Sequence, residues 1–155
     1  MRISEFLSPQ AVIADMQART KPEVLRELST ALVRAHPQLQ EERLVEVLRE
    51  REKLGSTGVG SGIAIPHGKL PGVTRITGVF ARLEQPVEFE ALDDEPVDIV
   101  FLLLAPEGAG ADHLKALSRI ARVLRDGETV RKIRGTKDAA AIYAFLAQGP
   151  TSNAA

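Results

Sequence analysis

Val97-Asp98-Ile99-Val100-Phe101-Leu102-Leu103-Leu104 is the longest apolar run of the chain, and its reading decides the fold. Aliphatic side chains stand at both parities with a single charge among eight residues, so neither face is left for water. That pattern suits a central strand covered on both sides. Periodicity alone does not separate it from a buried helix segment. Before it, residues 75–83 follow a Pro71-Gly72 turn and alternate, with Ile76, Gly78, Phe80 and Arg82 on one side and Thr77, Val79, Ala81 and Leu83 on the other. This predicts a second strand. After it, beyond a loop at 106–111, Asp112 can cap a helix whose stripe is Leu114, Leu117, Ile120, Ala121 and Leu124, ending at Asp126-Gly127. Two shorter helices are predicted over 128–134 and 138–146, separated by Gly135.

The N-terminal third has the same rhythm. One helical turn over 3–7 is interrupted by Ser8-Pro9, and Val12, Ala14 and Met16 then alternate as in a short strand. Thr20-Lys21-Pro22-Glu23 is a capping box with proline in the first turn, followed by Val24, Leu25, Leu28, Ala31, Leu32 and Ala35 at helical spacing as far as His36-Pro37. A second helix over 41–53 turns Leu44, Val47 and Leu48 inward and Glu42, Arg43, Glu46 and Glu50 outward, and brings Arg49 and Arg51 to the next segment. Helices and strands interleave without internal repeat or low-complexity linker. The expectation is an α/β class, single-domain layered fold over 1–148, a mixed β-sheet with helices packed on it. Residues 149–155 form a small polar tail expected to be disordered.

Composition narrows the function classes. A chain of 155 residues is long enough to bury roughly 70% of its unfolded surface. With 20 basic and 21 acidic residues the net charge is -1, which gives no electrostatic reason to expect nucleic acid or an anionic membrane. The absence of cysteine excludes disulfides, thiolate metal sites and cysteine nucleophiles, and suits a reducing, cytoplasmic setting. No apolar run approaches the ~18 residues of a membrane span, and the first residues lack the apolar core of a signal peptide. Three scattered histidines without His-x-His or His-x-x-x-His spacing predict no metal site.

The most unusual stretch is Gly55-Ser56-Thr57-Gly58-Val59-Gly60-Ser61-Gly62-Ile63-Ala64-Ile65-Pro66-His67-Gly68-Lys69-Leu70. Its glycines fail both nucleotide-binding patterns. Ser61-Gly62 stand where a phosphate-binding loop needs lysine and a hydroxyl residue, and Ile63 stands where a dinucleotide fingerprint needs glycine or alanine. Ile63-Ala64-Ile65 reads as a short buried strand ended by Pro66, which pushes Ile65 into an extended conformation and presents His67 at the strand end. A histidine beside hydroxyls, glycine amides and arginine suits a covalent phosphoryl acceptor, because a neutral imidazole is a nucleophile and its phosphoramidate is labile. Phosphoryl transfer needs positioned donors more than an acid or base, and Ser56, Thr57, the amides including that of Gly68, and a guanidinium could supply them. A surface-loop histidine without chemistry is the competing reading.

These residues resemble a known family, the IIA phosphocarriers of the bacterial phosphotransferase system in the fructose and mannitol class. The resemblance rests on Arg51-Glu52-Lys53-Leu54-Gly55-Ser56-Thr57, on Gly62-Ile63-Ala64-Ile65-Pro66-His67-Gly68, on Pro96-Val97-Asp98 with its apolar strand, and on His113-Leu114. Gly-Ser-Thr-Gly, Ile-Pro-His-Gly-Lys and the lack of a fused IIB or IIC domain within these residues look most like the nitrogen-related regulatory branch. The resemblance implies that His67 takes a phosphoryl group on Nε2 from an HPr-like phosphocarrier, that Arg51 matches the active-site arginine and His113 the second histidine, and that no cofactor is needed. It implies a regulatory IIA protein read by target proteins, or alternatively a fructose/mannitol transport component that passes phosphate to a IIB domain. A non-catalytic binding module is the reading from a third class. Arg51 could instead close a solvated helix face, His113 could be a helix-start residue without a task, and His36 reads as structural. Glu52 and Asp112 could bond ring nitrogens or pair with Arg51, and the sequence does not choose.

Overall fold

The apolar run becomes the middle of the sheet. In a computed structural model that describes residues 1–150, six strands follow in chain order: β1 Val12–Met16, β2 Gly58–Gly60, β3 Ile63–Ala64, β4 His67–Lys69, β5 Thr77–Val87 and β6 Val97–Ala105. Five helices accompany them: α1 Lys21–Ala35, α2 Glu41–Lys53, α3 Ala111–Arg125, α4 Gly127–Arg134 and α5 Ala139–Gln148. The sheet order is β1-β5-β6-β3-β2, with β4 continuing beside β6 beyond β3. β5 runs antiparallel to β6, while β3 and β4 run parallel to it.

Two apolar layers explain the absence of a polar face on β6. Val100, Leu102 and Leu104 join Val79, Ala81 and Leu83 of β5 against Val24, Leu25, Leu28 and Leu32 of α1 and Leu44 and Leu48 of α2. On the other face Ile99, Phe101 and Leu103 pack with Phe80 against Ile120 and Leu124 of α3, Val130 and Ile133 of α4, and Ile142 and Leu146 of α5. The Phe80 and Phe101 rings meet edge to face at 5.9 Å. Each buried aliphatic side chain contributes about 1.5–3 kcal/mol relative to exposure. The mixed α/β architecture expected from the sequence is the one observed.

Several local expectations need correction. The strand predicted over 75–83 runs from Thr77 to Val87, because its far end still pairs, with Val87 opposite Val97. In α2 it is Val45 that is buried with Leu44 and Leu48, while Val47 is half-buried. The cap of α3 is Gly110 at φ 48°, not Asp112, which lies inside the first turn. The buried stripe of α3 is His113, Ala116, Ile120, Val123 and Leu124; Ile120 and Leu124 are as predicted, Leu117 and Ala121 are half-buried against the same core, and Leu114 is 67% exposed. At α1 the Thr20 hydroxyl accepts from the Glu23 amide as expected, but the Glu23 carboxylate takes the amide of Arg19, one residue outside the box. The expected tail lies outside the described residues from 151 onward.

The glycine-rich stretch is a hairpin followed by a strand, not a loop with one strand. β2 and β3 are antiparallel, and Gly60, Ser61 and Gly62 turn between them at φ 109°, 58° and 81°. Residues 63–69 then run along β6 without slip, Ile63 opposite Ile99 and Lys69 opposite Ala105. His67 therefore opens β4 instead of ending β3. Close approach, not turn geometry, demands Gly78: a Cβ there would stand 2.7 Å from Cε1 of Phe101 and 3.0 Å from the Leu102 oxygen. Gly78→Ala should lower the unfolding free energy by about 1–3 kcal/mol, read as a reduced urea midpoint at unchanged slope. An unaltered midpoint would mean that β5 and β6 can part without loss.

Candidate active site

Strand parity builds the site around His67. The Pro66 carbonyl accepts from the Leu103 amide and the Leu70 amide donates to Ala105, so even-numbered backbone groups of this segment face β6. Odd-numbered groups face the other way: the Ile65 amide donates to the Thr57 carbonyl. The Ile65 carbonyl, on that same side, accepts from Nδ1 of His67 at 2.7 Å. A neutral imidazole carries one N–H, so this bond keeps the proton on Nδ1 and leaves the lone pair on Nε2. The ring is half-buried. By the same parity the amides of His67 and Lys69 turn to the side of β4 that no strand covers, whereas that of Gly68 faces β6. Gly68 serves another purpose, since a Cβ there would stand 3.1 Å from Cγ1 of Val47 on α2.

His113 meets His67 from the other layer. It occupies the first turn of α3 on the buried face, and the two rings stand edge to face with centroids 5.8 Å apart. Its Nε2 is buried without a hydrogen-bond partner. Burial, and then the nearby positive charge of His67 and Lys69, holds its pKa below the ordinary histidine value.

The remaining expected residues divide. Arg51, in the last turn of α2, is half-buried and donates from Nη1 to the Gly55 carbonyl at 2.9 Å. The Ser56 hydroxyl donates to the Phe89 carbonyl at 2.9 Å and accepts from the Gly58 amide. Thr57 is 3% exposed, and its hydroxyl and amide both go to the Glu52 carboxylate. Ser56 and Thr57 therefore hold the loop together, and neither hydroxyl proton is open to a phosphoryl oxygen in this arrangement. Glu52 also takes Nζ of Lys21 at 3.0 Å, so it touches neither Arg51 nor a ring nitrogen. Asp112 is exposed at the helix start. His36 bonds Thr77 through Nε2 at 3.3 Å, a structural role as read from the sequence.

Comparison with known proteins places this geometry. Residues 5–149 match the model of the phosphoenolpyruvate-dependent sugar phosphotransferase system EIIA 2 family. The chain belongs to that family. It is 51% identical over 99% of its length to a nitrogen regulatory protein of Bradyrhizobium diazoefficiens, the whole of which is covered. The crystal structure of nitrogen regulatory protein IIA-Ntr from Neisseria meningitidis superposes with a TM-score of 0.87 at 38% identity, over 93% of this chain and 98% of that one. IIA mannitol from Escherichia coli shares the fold, with a TM-score of 0.75 at 23% identity over 90% of this chain and 98% of that one. Among EIIA 2 proteins this chain thus sits with the nitrogen regulatory ones.

Two partners of this EIIA 2 site were not foreseen. The Ile65 carbonyl carries no sequence signal, because any residue has one. Lys21 read only as a helix-start residue, yet its side chain is 13% exposed between Glu52 and the Phe89 ring. Among the described residues no three metal-ligating side chains come together, and no helix is long and apolar enough to cross a membrane. A cleft of about 700 Å³ between the β2–β3 hairpin and the α3–α4 corner reaches Ile65 but none of His67, Arg51 and His113.

The depressed pKa of His113 fixes the sign of a pH effect. Unfolding lets His113 protonate near its ordinary value of 6.5, while the folded protein resists until lower pH. Between those values unfolding takes up a proton, so acid favours the unfolded state. The contribution is complete above pH 6.5 and is lost as pH falls through the folded value. The urea midpoint should therefore fall more steeply from pH 7 to pH 5 in the native protein than in His113→Gln. Parallel slopes would remove the assignment.

Proposed function

We propose that this EIIA 2 protein is a phosphohistidine carrier that accepts a phosphoryl group on Nε2 of His67 from the phosphohistidine of an HPr-like protein and signals its state to regulatory partners. The observation that carries the reading is the 2.7 Å bond from Nδ1 of His67 to the Ile65 carbonyl, which directs the lone pair to Nε2. The step balances simply. The Nε2 lone pair forms the new N–P bond while the donor's N–P bond breaks, and its electron pair returns to the donor ring. The His67 ring gains positive charge in doing so, and the Nδ1–H bond strengthens into a charge-assisted one as that charge appears. Such a contact favours the transition state over the ground state.

Arg51 supplies the cation in this reading, exchanging its single bond to Gly55 for the phosphoryl oxygens. His113 lies against the ring and its unpartnered Nε2 gives a phosphoryl oxygen a donor once the proton sits there. The amides of His67 and Lys69, on the uncovered side of β4, take the donor role expected of the Ser56 and Thr57 hydroxyls and the Gly68 amide. The site lies outside the large cleft, as suits a macromolecular donor. A phosphoryl group adds about -1.5 to -2 charge at pH 7 and changes which surfaces can dock at β4.

Incubation with a phosphorylated HPr-like carrier should give one acid-labile phosphoryl adduct by intact mass, lost in His67→Ala. No adduct on the native protein would remove the reading. Arg51→Ala should keep the fold by circular dichroism and slow acceptance roughly a hundredfold. Native transfer kinetics in that variant would return Arg51 to its helix-face role.

A further inference from the structure

We propose that Glu52 is a positioning residue for His67: through Thr57 and the Ile65 backbone it sets which ring nitrogen keeps the proton. This rests on the reading of His67 as the acceptor. The hydrogen bonds form a continuous series. Glu52 Oε1 accepts from the Thr57 amide at 3.1 Å, the Thr57 carbonyl accepts from the Ile65 amide at 2.9 Å, and the Ile65 carbonyl accepts from Nδ1 of His67 at 2.7 Å. Thr57 is held from both sides, since its hydroxyl also goes to Glu52.

The placement of Glu52 is otherwise hard to justify. A carboxylate in the last turn of a helix opposes the helix dipole. Its side chain is 7% exposed, and burying a charge is unfavourable unless it is paired and hydrogen-bonded. Lys21 supplies the pairing from the first turn of α1, and is itself held by Glu90 at 3.3 Å and by the Phe89 ring at 4.8 Å. The Ser56 hydroxyl ties the same loop to the Phe89 carbonyl. The starts of α1 and β2, the end of α2 and the segment after β5 thus converge on Glu52. A buried ion pair of this kind is a weak source of stability compared with an apolar pair of similar volume, so its contribution here is geometric. With Thr57 fixed, the Ile65 carbonyl cannot rotate away from the ring, and Nε2 stays without a proton.

The tautomer of neutral His67 can be read directly from ¹⁵N shifts of histidine-labelled protein at pH 8, without any phosphate donor. The native ring should show a protonated Nδ1 and an unprotonated Nε2. In Lys21→Met with Glu52→Leu, which removes both charges together, His67 should become a tautomer mixture. Acceptance from the phosphorylated carrier should fall about tenfold with KM for the carrier unchanged. Glu52→Gln in the Lys21→Met background keeps an acceptor for the Thr57 amide and should restore the single tautomer. An apolar pair that retains the native tautomer and rate would overturn the proposal. Should that pair fail to fold, Glu52→Ala in the Lys21→Met background, which also removes the acceptor of the Thr57 amide, decides by the same two readings: a mixture with slower transfer supports the role, and native behaviour in both overturns it. If native protein takes no phosphoryl group at all, the carrier reading fails, while the tautomer result still decides what Glu52 does to the ring.

Discussion

Strand β6 is held on both edges by other strands and on both faces by apolar side chains, and the rest of the molecule is arranged around that constraint. β5 takes one edge and the segment 63–69 the other. The residues from Ile99 to Ala105 are fully buried, so the strand cannot shift by one position without exchanging two complete apolar faces. The register that follows puts His67 opposite Leu103. The position of the His67 ring is therefore set by the core, although it lies next to a hairpin that carries most of the glycines of the segment. The layer of helices on the Leu103 face then leaves the first turn of α3 directly against that ring.

Proline plays an unusual part in this arrangement. Pro66 lies within a strand whose neighbour is β6, and its nitrogen has no hydrogen to give the ladder. Its carbonyl still accepts from Leu103, so pairing continues across it. The ladder lacks one donor beside the His67 ring, which divides the segment into β3 and β4 although the register is kept. The carbonyl before it, that of Ile65, has passed the end of β2 and is left for an imidazole to take. One residue thus separates two short strands and precedes the side chain that the Ile65 carbonyl orients.

Polar groups around the ring are sorted by depth. Glu52 and Lys21 are paired well inside and fix backbone. His113 is buried and held toward its neutral form. Arg51 is half-buried and Lys69 exposed.

The chain's own periodicities determined most of the architecture: alternation over 75–83, helical stripes over 21–35 and 41–53, and an apolar run too long to leave any face wet. The motif around His67 pointed to the family to which the chain belongs. What failed was local in a different way. Leu114 outranks His113 as a core residue by hydrophobicity, yet the rotation of α3 is set by where Ala116, Ile120 and Leu124 meet the sheet, and that turns His113 inward. Ser56 and Thr57 have hydroxyls that suit an anion, but acceptors from Glu52 and Phe89 reach them first. Phe89 comes from a distant segment and Glu52 from the helix just before, and which acceptor reaches a hydroxyl is set by distance in space, which spacing along the chain does not give. Sequence could single out His67; only the folded sheet, by turning alternate carbonyls to opposite sides, brought the Ile65 carbonyl to Nδ1 of its ring.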